Sequence, residues 1–544
     1  MKNYDITLIV PPMWSTTAPW TASGFLCEAL RKRGFRVQFL DYNIQLFHAC
    51  QSIGFGNLWS DPSFIQNWED CAFDYLSHIF DLDEIQGGVI GFCATQTGLR
   101  SAVTLAKRIR DHFPRRKIIF GGHAVYFPDG ATVVPVDVAD AICKGEGEEV
   151  VCEMLNKDFR RWREIPGLYL PTDKGWVLNQ ERPPVTDLDQ FPWPTYSEVD
   201  LSRYTKPYLG LVGSRGCLGR CVFCSERQRF PGHRFRSVAN QVDELEYLSS
   251  TYPIEHFPYY DSLVNGNYQV LREKAEEIIR RGLKVDYSGN MMVRESMADD
   301  LFPLLRKSGF SVAFIGIESG SAATLARMRK RHNPRMAADF LKKCHNAGIR
   351  TEINIIIGFP TETETHFQET LDFVRDNRQY IDNIISLNTF GLAHSDLCDK
   401  LEEYGIVIDR KFANGNEWHT REHPNDIGVR RARMETFLKL EETLGLRGEY
   451  LFSDEHYFGE NPPPAPESFL EAYQKADESL APEDRLKHAA SVDRLRLALR
   501  LRHRTPVETA VKMVASIRGR GLLKSVRRIR EKIRREAMTR RQSP

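Results

Sequence analysis

The run LGLVGSRGCLGRCVFCSE, Leu209 to Glu226, decides how the rest of the chain is read. It opens as an apolar, glycine-interrupted strand and breaks into a loop that carries Cys217, Cys221 and Cys224 in the spacing C-x-x-x-C-x-x-C. Three thiolates on so short a loop suit three irons of a cubane four-iron, four-sulfur (4Fe-4S) cluster and leave the fourth iron without a protein ligand. S-adenosylmethionine (SAM) chelates such an iron through its amino and carboxylate groups. The same thiolates suit tetrahedral zinc with His233 as a fourth ligand, and spacing alone leaves that alternative standing. The position of the loop just after a strand favours the cluster.

Working outward, strands are expected at Tyr208–Gly213, His256–Tyr260, Lys284–Ser288, Ser311–Ile317, Arg350–Ile357 and Asn383–Phe390. Helices are expected between them, centred near Leu245, Ile278, Leu304, Ala337 and Phe373. Six such repeats make a partial, TIM-like (β/α)6 barrel, whose chemistry belongs at the carboxyl ends of the strands. Upstream, a second alternating series begins with a strand at Asp5–Pro11, a helix at Ser23–Lys32 and a strand at Arg36–Leu40. It continues with a strand at Gly88–Ala94, a helix at Leu99–His112, strands at Lys117–Phe120 and Ala139–Cys143, and a helix at Glu148–Asn156. This pattern predicts a doubly wound, Rossmann-like parallel sheet with its ligand beyond the strand ends. Those ends are glycine-rich or polar: Pro11-Pro12, Thr95-Gln96-Thr97, Gly121-Gly122-His123 and Gly145-Glu146-Gly147-Glu148. The proline- and aromatic-rich stretch Pro183–Tyr196 reads as a linker wrapped over a surface.

Composition is that of a globular protein, 42% hydrophobic and 27% charged. No apolar run reaches the ~18 residues of a membrane span, and the N-terminus lacks the pattern of a secretory signal. A cytoplasmic location is expected, where eleven scattered cysteines stay as thiols or bind metal. Net charge is +1, but Ala481 to Pro544 holds nineteen Lys and Arg against six Asp and Glu. Runs such as LLKSVRRIREKIRREAM read as a basic amphipathic helix, either solvated or lying on an anionic membrane surface. With almost no aromatics for stacking, nucleic acid is not an expected partner.

Taken together, residues 205 to 390 resemble the radical SAM superfamily, and the chain to about Tyr450 resembles its cobalamin-binding branch, class B methyltransferase-like. The resemblance implies several contacts to SAM. Phe223, before the third cysteine, matches the position beside the adenine. Tyr260-Asp261-Ser262 stands where a motif contacts the SAM amino group, with the usual glycine pair absent and Asp261 as its acid. Asn290 and Arg294 match polar positions facing the SAM carboxylate. Glu318 in GIESGS matches a ribose contact, and Gly358 in IIGFPTETE lies in the fifth-strand motif beside the adenine. For cobalamin, the resemblance implies Pro11, Pro12, Thr95, Gly121, Gly122, Gly145 and Glu146. The D-x-H-x-x-G signature of classical mutases is absent, which implies a base-off cofactor without a protein nitrogen on cobalt.

The implied organisation is a cobalamin domain over 1–182, a linker over 183–204, a radical SAM barrel over 205–395, a mainly helical substrate-capping region over 396–480 and a basic helical tail over 481–544. The implied activity is reductive cleavage of SAM to a 5'-deoxyadenosyl radical and methylation of an unactivated carbon of a small-molecule or natural-product substrate. A reductase or flavodoxin-type protein would donate the electron. The alternatives are oxidative cyclisation or rearrangement without methyl transfer and, more distantly, a cobalamin sensor with a structural metal. Trp418, His419 and Arg430 are candidates to touch substrate.

Overall fold

The computed structural model describes residues 4–52, 59, 77–392, 394–408, 418–422, 424–446 and 452–453. The basic tail and its expected helix lie outside the described residues. The chain divides into two compact units. The first, Met1–Gln45, Leu58–Gln66 and Ile85–Asn461, contains both large sheets. Of the second, the described part is the remainder of helix α2 (Tyr42–Ser52) and two single 3-10 turns, Ser77–Ile79 and Leu82–Glu84.

The N-terminal sheet is built from β1 (Tyr4–Val10), β2 (Val37–Asp41), β3 (Gly87–Cys93), β4 (Lys117–Gly121) and β5 (Ala141–Cys143), all parallel. Their order is β2-β1-β3-β4-β5, so the chain reverses its winding between β1 and β3, the place where open sheets of this kind take ligands. β1 is central, and its last five residues are buried, as a strand covered on both faces requires. Helix α1 (Thr21–Lys32), α3 (Leu99–His112), the short α4 (Pro128–Val133) and α5 (Gly147–Asn156) connect the strands. In α3, Leu99, Ala102, Val103, Ala106 and Ile109 recur at helical spacing and are buried. Each fully buried aliphatic side chain of this kind contributes roughly 1.5–3 kcal/mol.

An antiparallel hairpin that the sequence reading leaves out, β6 (Leu168–Thr172) and β7 (Gly175–Leu178), extends the sheet beyond β5. Its signal is the short turn Asp173-Lys174-Gly175, in which Gly175 has φ +101°. The linker packs on this domain: Tyr196 is buried, and the Tyr204 hydroxyl donates to Asp41 at 2.7 Å.

The second sheet has six parallel strands, but not the six expected. β10 (His256–Tyr259), β11 (Asp286–Met291), β12 (Phe310–Glu318), β13 (Arg350–Ile357) and β14 (Asn383–Thr389) lie in chain order, and the sixth is β17 (Phe452–Ser453), beside β14. The expected first strand, Tyr208–Gly213, is reduced to one bridge, Leu211 opposite Tyr259. Leu211 N–H donates to Pro258 at 2.9 Å, and Leu211 C=O accepts from Tyr260 at 2.8 Å. The ladder has no donor at Pro258, because proline carries no N–H. After it come a two-residue ladder, β8 (Ser214–Arg215) with β9 (Arg234–Phe235), and the short α6 (Glu226–Arg229).

Helices α7 (Val238–Thr251), α8 (Tyr268–Arg281), α9 (Leu301–Lys307), α10 (Ala322–Arg327), α11 (Pro334–Asn346) and α12 (Glu364–Asp376) fall where the helical periodicity places them, with α10 an added short turn. Their apolar faces and the strands make one continuous core, including Leu245, Ile278, Leu305, Phe340 and Phe373. The region expected to be mainly helical contains α13 (Ile427–Leu444) but also the hairpin β15 (Ile406–Ile408) and β16 (Trp418–Thr420), and it supplies β17. Among the described residues, no helix is long and apolar enough to cross a membrane.

Candidate active site

The cysteine loop is closed at its base by the β8–β9 ladder, which pairs Ser214 with Phe235 and Arg215 with Arg234. Gly216 starts the loop with φ +82°, and a Cβ there would stand 1.8 Å from the Gly232 carbonyl oxygen. Only glycine allows both the left-handed turn and that approach. Gly219 sits between the first two cysteines. A Cβ at Gly219 would lie 3.3 Å from Cys217 Sγ and 3.7 Å from Cys221 Sγ, and its N–H donates to Cys217 Sγ at 3.3 Å. Val222 N–H donates to Met328 C=O, and Leu397 N–H to Val222 C=O, so the loop is tied to the end of the helix Ala322–Arg327 and to the segment that follows β14.

Burial pushes the Cys217 and Cys221 thiols up, while the cation of Lys330 pulls both down. Metal binding deprotonates such thiols and so removes the cost of holding them. The donor set, three sulfurs on a glycine-spaced loop, fits an iron–sulfur cluster. Among the described residues, no group of three His, Cys, Asp or Glu side chains is drawn together as a single-ion site. A cubane places each thiolate on a different iron. His233, the fourth ligand in the zinc alternative, packs against Gly266, where its ring atoms would meet a Cβ at 2.5 Å.

The residues matched to SAM contacts gather along one edge, at the carboxyl ends of β10 to β13 and on the cysteine loop. Phe223 packs on the small core of Val222, Leu325, Met328 and Phe359. Asp261 is 3% exposed, and its carboxylate is committed: Oδ1 accepts from Gly213 N–H at 2.7 Å and Oδ2 from Ser214 Oγ at 2.6 Å. Asn290 donates to the Asp261 carbonyl at 2.9 Å. Arg294 donates to the carbonyls of Asn265 and Gly266 at 3.0 and 2.9 Å and lies over the Tyr268 ring. It also lines a cleft of about 270 Å³ with Leu218, Met292 and Arg331.

Glu318 adopts φ +69° at a bulge in β12 and pairs with Lys330 at 3.1 Å. Such strain in a non-glycine residue is a frequent mark of a functional position. Gly358, with φ +77°, donates to Glu362 Oε2 at 2.7 Å, and a Cβ there would collide with Arg430. Arg430 is 1% exposed, stacks over Trp418 and donates to its carbonyl. These two residues therefore pack the wall behind Gly358, while His419 is half-buried in β16.

Lys330 and Glu226 are absent from the expected site. Lys330 belongs to the charged run MRKRH, and its side chain is 8% exposed with its charge bearing on Cys221 and Cys224. Glu226, two residues beyond Cys224, accepts a hydrogen bond from Ser262 Oγ. An acid that close to a cysteine ligand is the signal that could have found it.

In the N-terminal sheet, Pro11 and Pro12 end β1 and are buried. Thr95 Oγ1 accepts from Gly98 N–H at 3.0 Å, and Thr97 Oγ1 donates to Met13 C=O at 2.9 Å, stapling the ends of β1 and β3. Gly121 closes β4, and Gly122, at φ +99°, lets the backbone pass the Ala94 carbonyl, which a Cβ would approach to 2.7 Å.

The next residues reach the barrel. Arg229 of α6 donates to His123 Nδ1 at 2.6 Å, and the Tyr126 hydroxyl donates to Gln228 C=O at 2.6 Å. Burial and then the Arg229 charge bring His123 down to about 4, so it is neutral at pH 7. Beyond Gly145, Glu146 pairs with Arg215 at 3.2 Å and with Arg234 at 2.7 Å, and Glu148 pairs with Arg215. All four side chains are between 9% and 13% exposed. The ends of β4 and β5 thus grip the base of the cysteine hairpin.

This arrangement sets a Rossmann-like domain against a three-cysteine loop beside a second parallel sheet. Residues 211–374 match the model of the Radical SAM superfamily. The chain is 27% identical over 390 residues to an uncharacterized methyltransferase of Pyrococcus horikoshii, a match covering 69% of this chain and 78% of that one. It is 25% identical over 376 residues to the anaerobic magnesium-protoporphyrin IX monomethyl ester cyclase of Cereibacter sphaeroides, covering 66% of this chain and 55% of the cyclase. Two solved structures share the fold. One is the methyltransferase TsrM from Kitasatospora setae with cobalamin and a [4Fe-4S] cluster bound, with TM-score 0.63, 15% identity and coverage of 92% and 100%. The other is the cobalamin-dependent enzyme OxsB with aqua-cobalamin and SAM, with TM-score 0.63, 16% identity and coverage of 99% and 80%.

Proposed function

We propose that this chain is a cobalamin-dependent radical SAM enzyme that methylates an unactivated carbon of a small-molecule substrate. The observation that carries the reading is the grip of the Rossmann-like sheet on the cysteine hairpin through Arg215, Arg234 and Arg229, which joins two cofactor modules at one place. The relatives support it, since solved proteins of this fold hold cobalamin, the cluster and SAM. When bound, these groups supply an adenosyl radical for hydrogen abstraction and a carrier for the methyl group.

The chain's own part is to hold and to exclude. Cys217, Cys221 and Cys224 hold the cluster. Phe223, Asn290, Glu318 and Gly358 line the edge where SAM is read, and Lys330 offsets the negative charge gathered there. Residues 1–182 hold cobalamin at the switch between β1 and β3, with Pro11, Pro12, Thr95, Gly121, Gly122 and Gly145 as the close-packed backbone around it. Residues 183–204 link the two modules, and 205–395 form the barrel. Helix α13, through buried Arg430 and Arg433, closes the end of β13 against water. A flavodoxin-type protein or reductase supplies the electron, and the basic tail contacts an anionic membrane surface.

The resemblance to the protoporphyrin ester cyclase favours a second reading, radical cyclisation or rearrangement without methyl transfer. Reconstituting the protein anaerobically with iron, sulfide and cobalamin, then supplying SAM, dithionite and a small-molecule extract, separates the two. A methyltransferase forms deoxyadenosine and S-adenosylhomocysteine together, and a cyclase forms deoxyadenosine without S-adenosylhomocysteine. The wild type is expected to carry about four irons and Cys221→Ala to lose both iron and SAM cleavage. One zinc and intact SAM would overturn both readings.

A further inference from the structure

SAM on an open iron presents amino N–H groups that need an acceptor beside the cysteine loop. Of the carboxylates around that loop, Glu146 and Glu148 are spent on Arg215 and Arg234 at its base, and Asp261 and Glu318 are engaged as well. Asp261, the acid of the second-strand motif, is 3% exposed and accepts from Gly213 N–H and Ser214 Oγ, so both of its oxygens anchor the strand leading into the loop. Its Coulombic partner is buried Lys274, beneath it on α8. Glu318 is neutralised by Lys330 at 3.1 Å and stands at the position matched to the ribose.

Glu226 differs from both. It is half-buried, and its charge bears on Cys217 and Cys224. Among the described residues it makes no ion pair, and its one side-chain hydrogen bond runs from Ser262 Oγ to Oε1, leaving Oε2 open. Ser262 is the third residue of Tyr260-Asp261-Ser262, so the hydroxyl at that strand end holds a carboxylate that comes from the cysteine helix instead.

We infer that Glu226, held by Ser262, is the acceptor for the amino group of SAM, and that Asp261 is a positioning residue for the cysteine loop. This rests on the radical SAM reading above. Asp261 is buried with each oxygen already accepting a hydrogen bond, while Glu226 keeps one oxygen without a partner and stands two residues beyond Cys224. The inference also explains how a second-strand motif without a free acid of its own still serves an amino group.

The test uses the full-length, anaerobically reconstituted protein and equilibrium dialysis with three probes: SAM, S-adenosylhomocysteine, which keeps the amino-acid arm, and 5'-methylthioadenosine, which lacks it. In Glu226→Gln and Ser262→Ala, iron content is expected to match wild type. SAM and S-adenosylhomocysteine are expected to bind about tenfold more weakly or worse in Glu226→Gln, as loss of a charge-assisted hydrogen bond predicts. Ser262→Ala should weaken them less, and methylthioadenosine should be unaffected in both. Asp261→Asn is expected to lose iron. Unchanged SAM affinity in Glu226→Gln, equal weakening of all three probes, or loss of iron from Glu226→Gln would each overturn the inference. A wild type that binds no SAM would instead overturn the radical SAM reading itself.

Discussion

Gly216 is the residue on which the cysteine loop turns. Its φ of +82° and its contact with the Gly232 carbonyl leave no room for a side chain. Gly216→Ala is expected to destabilise the protein by about 2 kcal/mol or more and to lower iron content by more than half, checked by thermal melting and iron assay. Glu318 shows the same logic with a larger side chain. Its left-handed backbone is held by Lys330, and the pair sits where the matched ribose contact is expected. The cysteines were legible from their spacing, and the glycines could be noted but not explained. What Gly216 avoids is a carbonyl sixteen residues later, and no local pattern encodes that approach.

Among the elements, the β8–β9 hairpin is the decisive one, because residues from the N-terminal sheet hold it. Arg215 lies between Glu146 and Glu148, with all three largely out of water. Removing one partner of such a group leaves an unpaired buried charge. Arg215→Met is expected to cost about 3–5 kcal/mol by chemical denaturation. Adding Glu148→Gln to it should restore part of that loss, a coupling that a double-mutant cycle measures.

Most elements were legible in advance. The helix Leu99–His112 and the strand Arg350–Ile357 appear with the bounds that periodicity gives. The strand at Tyr208–Gly213 failed because its neighbour presents Pro258, and the sheet took Phe452–Ser453 as its sixth strand instead. Pairing partners distant in the chain decide such cases, and a single run of sequence does not contain them.

For the whole molecule, the contacts between the Rossmann-like sheet and the hairpin make stability depend on acid. Burial opposes ionisation of Glu146, but its hydrogen bonds and charge pairing with Arg234 and Arg215 outweigh that and hold its carboxyl below the ordinary 4.5. A group lowered in the folded state contributes fully above its unfolded value and loses that contribution as pH falls through the folded one. The stability gap between wild type and Glu146→Gln is therefore expected to be constant above about pH 5 and to close as the pH drops below about 4.5, read from urea midpoints along the series.

The sequence by itself determined the two alternating halves, the C-x-x-x-C-x-x-C loop and the glycine-rich strand ends, because periodicity and spacing are local properties. Only the tertiary structure decided that Glu146 grips arginines of the hairpin, that Asp261 is spent on Gly213 and Ser214 at the foot of the loop, and that the charges of Lys330 and Glu226 bear on the cysteine thiols. Each of these depends on which distant group reaches a buried charge first, and a buried charge takes whatever partner the packing brings to it.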